Sequence, residues 1–306
     1  MSLFERVGRG VIFGFPAGVA ALTALGAWRL AQRLVRPKTV GLKFFTPWEL
    51  GIPYEDVEFM TSDGLKLSGW WLEAPGATRT VVALTGHYGG RSDALGISAA
   101  LWRKGMNVLL FDFRGRGTSD PHINTLGYCE TLDALAATAF ARRMAPGSAV
   151  GLIGFSMGGA VAIMAAARDD TIGAVVADSP FASQRQVLRR HFSKQTRLPA
   201  FPFLPLTALF LPYDMDAVEP IQEVASIAPR ALMLIHGDLD PITDPRDSDA
   251  LFAAAGQPKE MWALPGAGHC DAYFLDRTAY VERVTTFFES HLHPERAPVA
   301  VGRAGD

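Results

Sequence analysis

Ser156 lies in Gly154-Phe155-Ser156-Met157-Gly158, where an apolar run (149–154) meets an alanine-rich run (157–167). This G-x-S-x-G pattern suits a tight turn from a strand into a helix. Such a turn lifts the serine oxygen clear of the sheet and above a helix N-terminus, where free N–H groups and the positive end of the dipole favour negative charge. A serine acting only as a helix cap explains the hydroxyl, but not Gly154, Gly158 and Gly159 together. Side chains at 154 or 158 are expected to collide with the neighbouring strand or helix. A serine hydroxyl is a weak nucleophile until a base takes its proton, and that base works best when a carboxylate holds it. Of seven histidines, His269 in "LPGAGHCDA" is the best-placed base, on a Gly/Pro-rich loop after the last expected strand. "LMLIHGDLDPITD" follows the preceding strand and offers the acid: Asp240 is the first choice, with Asp238 and Asp244 its rivals. His236 is read as support for the turn at Gly237, and His122, His191, His291 and His293 as surface residues. The chemistry such a set performs is acyl transfer through a covalent intermediate, which needs no metal and no organic cofactor.

The elements that must position these residues follow from hydrophobic patterning. Strands are predicted at 57–61 and 65–72 around the turn cluster "SDG", then at 80–84, 107–111, 149–154, 173–178, 231–236 and 261–264. Helices are predicted at 92–103, 128–143, 157–167, 247–255 and 277–290. Short apolar strands alternating with helices imply a mostly parallel sheet covered on both faces, here with an antiparallel edge from the opening pair. Between Pro180 and Pro229 the rhythm breaks. This stretch is rich in proline and bulky apolar residues and is too long for an ordinary connection, so an inserted helical cap is expected over 181–229. Arg185, Arg189, Arg190, Lys194 and Arg197 recur at helical spacing there. They read either as a solvated face or as a basic lid surface resting on anionic headgroups. The domain reading is therefore an N-terminal segment (1–36), a first core part (37–180), the cap (181–229), a second core part (230–293) and a disordered tail (294–306).

Composition excludes several classes. A net charge of −2 with no long basic tract argues against a nucleic-acid partner. Two cysteines, Cys129 and Cys270, cannot build a disulfide framework. Residues 11–28, "VIFGFPAGVAALTALGAW", carry no charge and approach the length of a membrane span. We read them as an uncleaved single-pass anchor. The alternatives are a cleaved signal peptide, with Ala24-Leu25-Gly26 as its small-residue site, or a buried helix. Arg29, Arg33, Arg36, Lys38 and Lys43 follow the segment against Arg6 and Arg9 before it, which predicts that the following domain is cytoplasmic.

Four motifs occur in order: "LTGHYGGRSD", "FDFRGRGTSD", "GFSMGG", and the pair "IHGDLDP" and "GAGHC". On these the chain resembles α/β-hydrolases over about residues 53–293, particularly the serine aminopeptidase-like and acylglycerol-lipase-like branch with a cap. The resemblance implies an α/β-hydrolase fold with an eight-stranded, mostly parallel sheet, Ser156 as nucleophile, Asp240 as acid and His269 as base. It implies structural roles near the site for Asp112 and Arg114. It also implies an oxyanion hole of backbone N–H groups, one from Met157 and one from the loop after the third strand. Where relatives usually read His-Gly-x, this chain reads Thr85-Gly86-His87. The second donor is assigned to His87, with Tyr88 its rival. The implied activity is hydrolysis of an acyl ester through a Ser-His-Asp triad and an acyl-enzyme, and the bulky apolar residues of the cap segment predict a small-molecule substrate with a medium or long apolar acyl chain. A serine peptidase or thioesterase could use the same triad, and a non-catalytic membrane-bound binding protein could use the same fold.

Overall fold

The computed structural model describes residues 3–36, 45–197 and 199–293. The tail expected at 294–306, together with Lys38 and Lys43, lies outside the described residues.

An eight-stranded sheet runs in the order β1-β2-β4-β3-β5-β6-β7-β8. Its strands are β1 (Glu55–Met60), β2 (Lys66–Leu72), β3 (Arg79–Leu84), β4 (Asn107–Phe111), β5 (Ala149–Phe155), β6 (Ile172–Asp178), β7 (Ala231–Gly237) and β8 (Lys259–Leu264). Only β2 runs against its neighbours, pairing antiparallel with both β1 and β4; β3 to β8 are parallel. The central strands are apolar on both sides because both faces are covered. Val82, Leu84, Leu109, Phe111, Val175 and Ala177 enter one core, and Val81, Ala83, Val108, Leu110, Ala174 and Val176 enter the other.

The helices are α1 (Leu3–Val35), α2 (Leu95–Arg103), α3 (Glu130–Met144), α4 (Met157–Arg168), α5 (Gln184–Thr196), α6 (Phe203–Leu209), α7 (Pro220–Glu223), α8 (Pro245–Ala254), α9 (Ala272–Leu275) and α10 (Arg277–His291). Residues from α3, α4 and α8 fill the first core, and residues from α2 and α10 the second. In α4 every residue from Met157 to Ala166 is buried, and its run of alanines and glycines lets the helix lie close against the sheet. The stretch between β6 and β7 is helical, formed by α5, α6, α7 and short 3-10 turns.

The N-terminal expectation needs correction. Residues 11–28 do lie within a helix, but among the described residues no helix is long and apolar enough to cross a membrane. The C-terminal half of α1 docks on the protein instead: Ala27, Ala31 and Val35, at four-residue steps, are buried, and the helix packs on α6. A count of uncharged residues cannot distinguish a lipid-facing helix from one that buries a stripe against protein. The basic row of α5 is also largely engaged internally. Arg185 pairs with Asp216, Arg190 pairs with Asp247, and Lys194 donates to the Pro241 carbonyl at 3.1 Å. Lys194 keeps its charge, since a carbonyl is neutral, and Arg189 and Arg197 are exposed without a partner among the described residues, so only Arg185 and Arg190 are paired with carboxylates.

Candidate active site

The site is built where the parallel strands end. Ser156 follows β5 at φ 54° and ψ −117°, a region costly for a side-chain-bearing residue. The surroundings hold it there. Its N–H donates to Asp178 O at 2.8 Å, and its carbonyl accepts from the N–H groups of Gly159 and Ala160. The two motif glycines are required by contact. A Cβ on Gly154 would lie 2.1 Å from Gly158 O, and one on Gly158 would lie 2.2 Å from Leu84 O. Met157 opens α4, so its N–H has no acceptor within the helix.

Asp240 lies in the loop after β7 with its side chain fully buried, and both carboxylate oxygens are engaged. Oδ1 accepts from the N–H groups of Ile242 (2.7 Å) and Thr243 (3.0 Å). Oδ2 accepts from His269 Nδ1 (2.7 Å), Thr243 Oγ1 (2.8 Å) and His236 Nε2 (3.2 Å). Burial pushes this carboxyl up, but the hydrogen bonds from His236 and His269, with the Ile242 N–H, outweigh it and hold the group well below the usual carboxylate range. An ionised carboxylate only accepts, so the proton of His269 sits on Nδ1 and leaves Nε2 free to act as a base.

The rival acids are occupied elsewhere. Asp238 is exposed and accepts from Gly266 N–H at 2.7 Å. Asp244 caps α8 and pairs with Arg246. His236 does more than support a turn, because it touches Asp240 on one side and Ser248 Oγ, at 2.6 Å, on the other. Thr243 was not singled out from the sequence; nothing in the pattern "DPITD" distinguishes a hydroxyl that will fold back onto Asp240.

His269 is tied to the elbow through its neighbour. Cys270 N–H donates to Ser179 Oγ at 3.1 Å, and Ser179 directly follows Asp178, whose carbonyl holds Ser156. Asp178 is buried and accepts from Ser179 Oγ and from Tyr280 Oη; burial pushes its carboxyl up to about 6. The His269 loop and the Ser156 turn thus share one anchor.

The loop after β3 forms the other side. Gly86 lies close enough to the elbow that a Cβ there would sit 3.5 Å from Ser156 Cβ. His87 is 8% exposed, and its ring packs edge-on against Tyr88. Burial, then the nearby Arg116 charge, brings its imidazole down to about 4, so it is neutral. Arg116 Nη2, 3.5 Å away, can only donate, which makes His87 Nδ1 the acceptor and puts the ring proton on Nε2. Among the described residues Nε2 has no partner, and neither has the buried Thr85 Oγ1. Asp112 accepts from Arg91 N–H at 2.8 Å, and Arg114 pairs with Asp133 and Asp63. These contacts brace the loops from below. A separate cleft of about 640 Å³ opens at the amino ends of β5, β6 and β7, away from this site, beside Ser148, Asp170, Thr171, Arg230 and His291.

Comparison with known proteins agrees with the fold. A family model described as the alpha/beta hydrolase fold matches residues 79–215. Rv2307c, an uncharacterised protein of Mycobacterium tuberculosis, is 31% identical over 235 residues, covering 76% of this chain and 78% of the relative. YfhR, an uncharacterised protein of Escherichia coli K12, is 29% identical over 259 residues, covering 81% and 84%. Among solved structures, the Pyrococcus furiosus esterase Pf2001 has a TM-score of 0.73 at 29% identity, covering 85% of this chain and 99% of that one. The chain belongs to the α/β-hydrolase family and is a hydrolase.

Proposed function

We propose that the protein is a carboxylic ester hydrolase of the acylglycerol-lipase-like branch, with Ser156 as nucleophile, His269 as base and Asp240 as acid. The observation that carries this reading is the 2.7 Å contact from His269 Nδ1 to the buried Asp240 carboxylate, taken together with a serine held at positive φ at the end of β5. The similarity to an esterase supports an ester as substrate. Ser156 Oγ attacks the acyl carbon while His269 Nε2 takes its proton. The carbonyl oxygen becomes an oxyanion held by the N–H groups of Met157 and His87. The tetrahedral adduct collapses to the acyl-enzyme as the imidazolium returns the proton to the departing alcohol. Water, deprotonated by His269, then releases the acid and restores the serine. Tyr88, Leu239 and Ile242 on the loops that carry these groups, and Phe274 and Leu275 on α9 shortly after His269, are exposed large apolar residues, which supports an apolar acyl substrate. The helical segment between β6 and β7 acts in this reading as a cap.

The test is labelling with a fluorophosphonate probe alongside hydrolysis of a chain-length series of esters. Wild type is expected to label once and to hydrolyse esters, and Ser156→Ala is expected to fold and do neither. Full labelling of the alanine variant sinks the assignment.

A further inference from the structure

Arg116 is 2% exposed, and among the described residues no carboxylate pairs with it. Its donors go to neutral groups. Nη1 donates to the Gly86 carbonyl and, at 3.2 Å, to the Gly89 carbonyl. Nε donates to Asn124 Oδ1 at 3.2 Å. Nη2 lies 3.5 Å from His87 Nδ1 and 3.8 Å from Met157 Sδ. One buried guanidinium therefore touches both residues whose backbone N–H groups are assigned to the oxyanion. The Gly86 contact is more pointed still, because the Gly86 carbonyl and the His87 N–H belong to one peptide unit. A cation at the carbonyl end draws electron density towards the oxygen and makes the N–H at the other end a stronger donor, as linked hydrogen bonds polarise one another.

We propose that Arg116 is a positioning residue of the oxyanion hole: it fixes the 85–90 loop against Met157 and polarises the Gly86–His87 peptide, so that a developing oxyanion meets a strengthened donor. The inference rests on the serine-hydrolase reading above. No proton moves at Arg116, whose guanidinium stays charged throughout. The arrangement also accounts for a buried charge left without a carboxylate. A direct ion pair would neutralise the cation; here Glu130, Asp112, Asp133 and Asp93 act on it only from a distance, and the Gly86 and Gly89 carbonyls hold it beside the loop where negative charge is to appear in the reaction.

The experiment uses the full chain, with Arg116→Met and Arg116→Lys, and measures kcat and KM on a nitrophenyl ester, melting temperature, and affinity for two inhibitors. One is a boronic acid, which forms a tetrahedral adduct on serine; the other is the matching amide, which does not. In Arg116→Met, kcat is expected to fall about 10- to 100-fold, less than the loss of a whole donor, with KM within about threefold. Boronate affinity should fall in step with kcat while amide affinity holds, and Arg116→Lys should recover part of both losses. If the methionine variant does not fold, the lysine variant carries the same comparison against wild type. A residue that only packs would lower melting temperature and active fraction but leave the boronate-to-amide ratio at its wild-type value, and that result overturns the inference. Ser156→Ala run in parallel separates the two readings. Probe labelling that survives in it overturns the catalytic reading and this one together. Labelling confined to Ser156, with an unchanged ratio in the Arg116 variants, overturns this one alone.

Discussion

The two sides of the site are finished differently. On the acid side, Asp240 receives every donor it can use, and His236, Thr243 and Ser248 are all hydrogen-bonded. On the side of the proposed oxyanion hole, His87 Nε2 and Thr85 Oγ1 have no partner among the described residues, and Arg116 is held by carbonyls rather than by a carboxylate. The proposed mechanism would account for the difference. The charge on Asp240 is the same before, during and after turnover, so its partners can be fixed in the free protein. Negative charge on the other side exists only in passing, so donors there must stand ready with nothing yet to bind.

The largest expected break comes on the acid side. Asp240→Asn should lower kcat by about 10⁴-fold, as loss of an orienting carboxylate does in serine hydrolases, while Asp238→Asn should change it by less than about threefold. The opposite ranking, measured under identical conditions, would reject Asp240 as the acid. The next effect is in stability. The unfolded chain protonates His87 near 6.5, but the folded chain does not until about 4. Stability from this site is therefore full above pH 6.5 and falls as pH drops towards 4, by about 3 kcal/mol. Denaturant midpoints at pH 7 and pH 4.5 should show a smaller acid loss in His87→Gln than in wild type; parallel losses would mean that the imidazole is not buried neutral. His236→Phe removes one donor from Asp240 and should cost about tenfold in kcat, with partial recovery in His236→Gln, whose amide can still donate. Equal losses in both variants would reduce His236 to a packing role.

The smallest effects make the sharpest contrast, because one substitution is placed on each side. Thr243→Val removes a hydroxyl bonded to a charged carboxylate and should cost about 2 kcal/mol. Thr85→Val removes a buried hydroxyl that has no partner and should gain up to about 1 kcal/mol. Thermal unfolding of both variants would show opposite signs, and losses of the same size would end the contrast.

Much of this was legible in the sequence, for identifiable reasons. The strand at 107–111 and the helix at 277–290 carry strong local patterns and appear as Asn107–Phe111 and Arg277–His291. The predicted start at 128 gave way to Glu130 because Leu126 and Gly127 take positive φ in the preceding turn. Asp240 stood out from its rivals only through the family motif, since three aspartates within seven residues look alike until the loop folds. The contacts of Arg116 with the 85–90 loop were not legible, because two of its partners, Gly86 O and Gly89 O, are backbone atoms with no sequence signature, 30 and 27 positions away. The N-terminal helix was misjudged because hydropathy reports what a segment lacks and not what it touches.

That helix has one more consequence. The carbonyl of Val35, its last residue, accepts from Asn124 N–H at 2.8 Å, and the Asn124 side chain in turn receives Arg116 Nε. A Cβ on Gly26 would lie 3.6 Å from the ring of Phe203, the first residue of α6. The first thirty-odd residues are thus wired, through two side chains, to the loop beside Ser156. A chain trimmed to start at residue 37 would be a differently tuned catalyst rather than a shorter copy of the same one, and trimming would register in turnover as well as in yield.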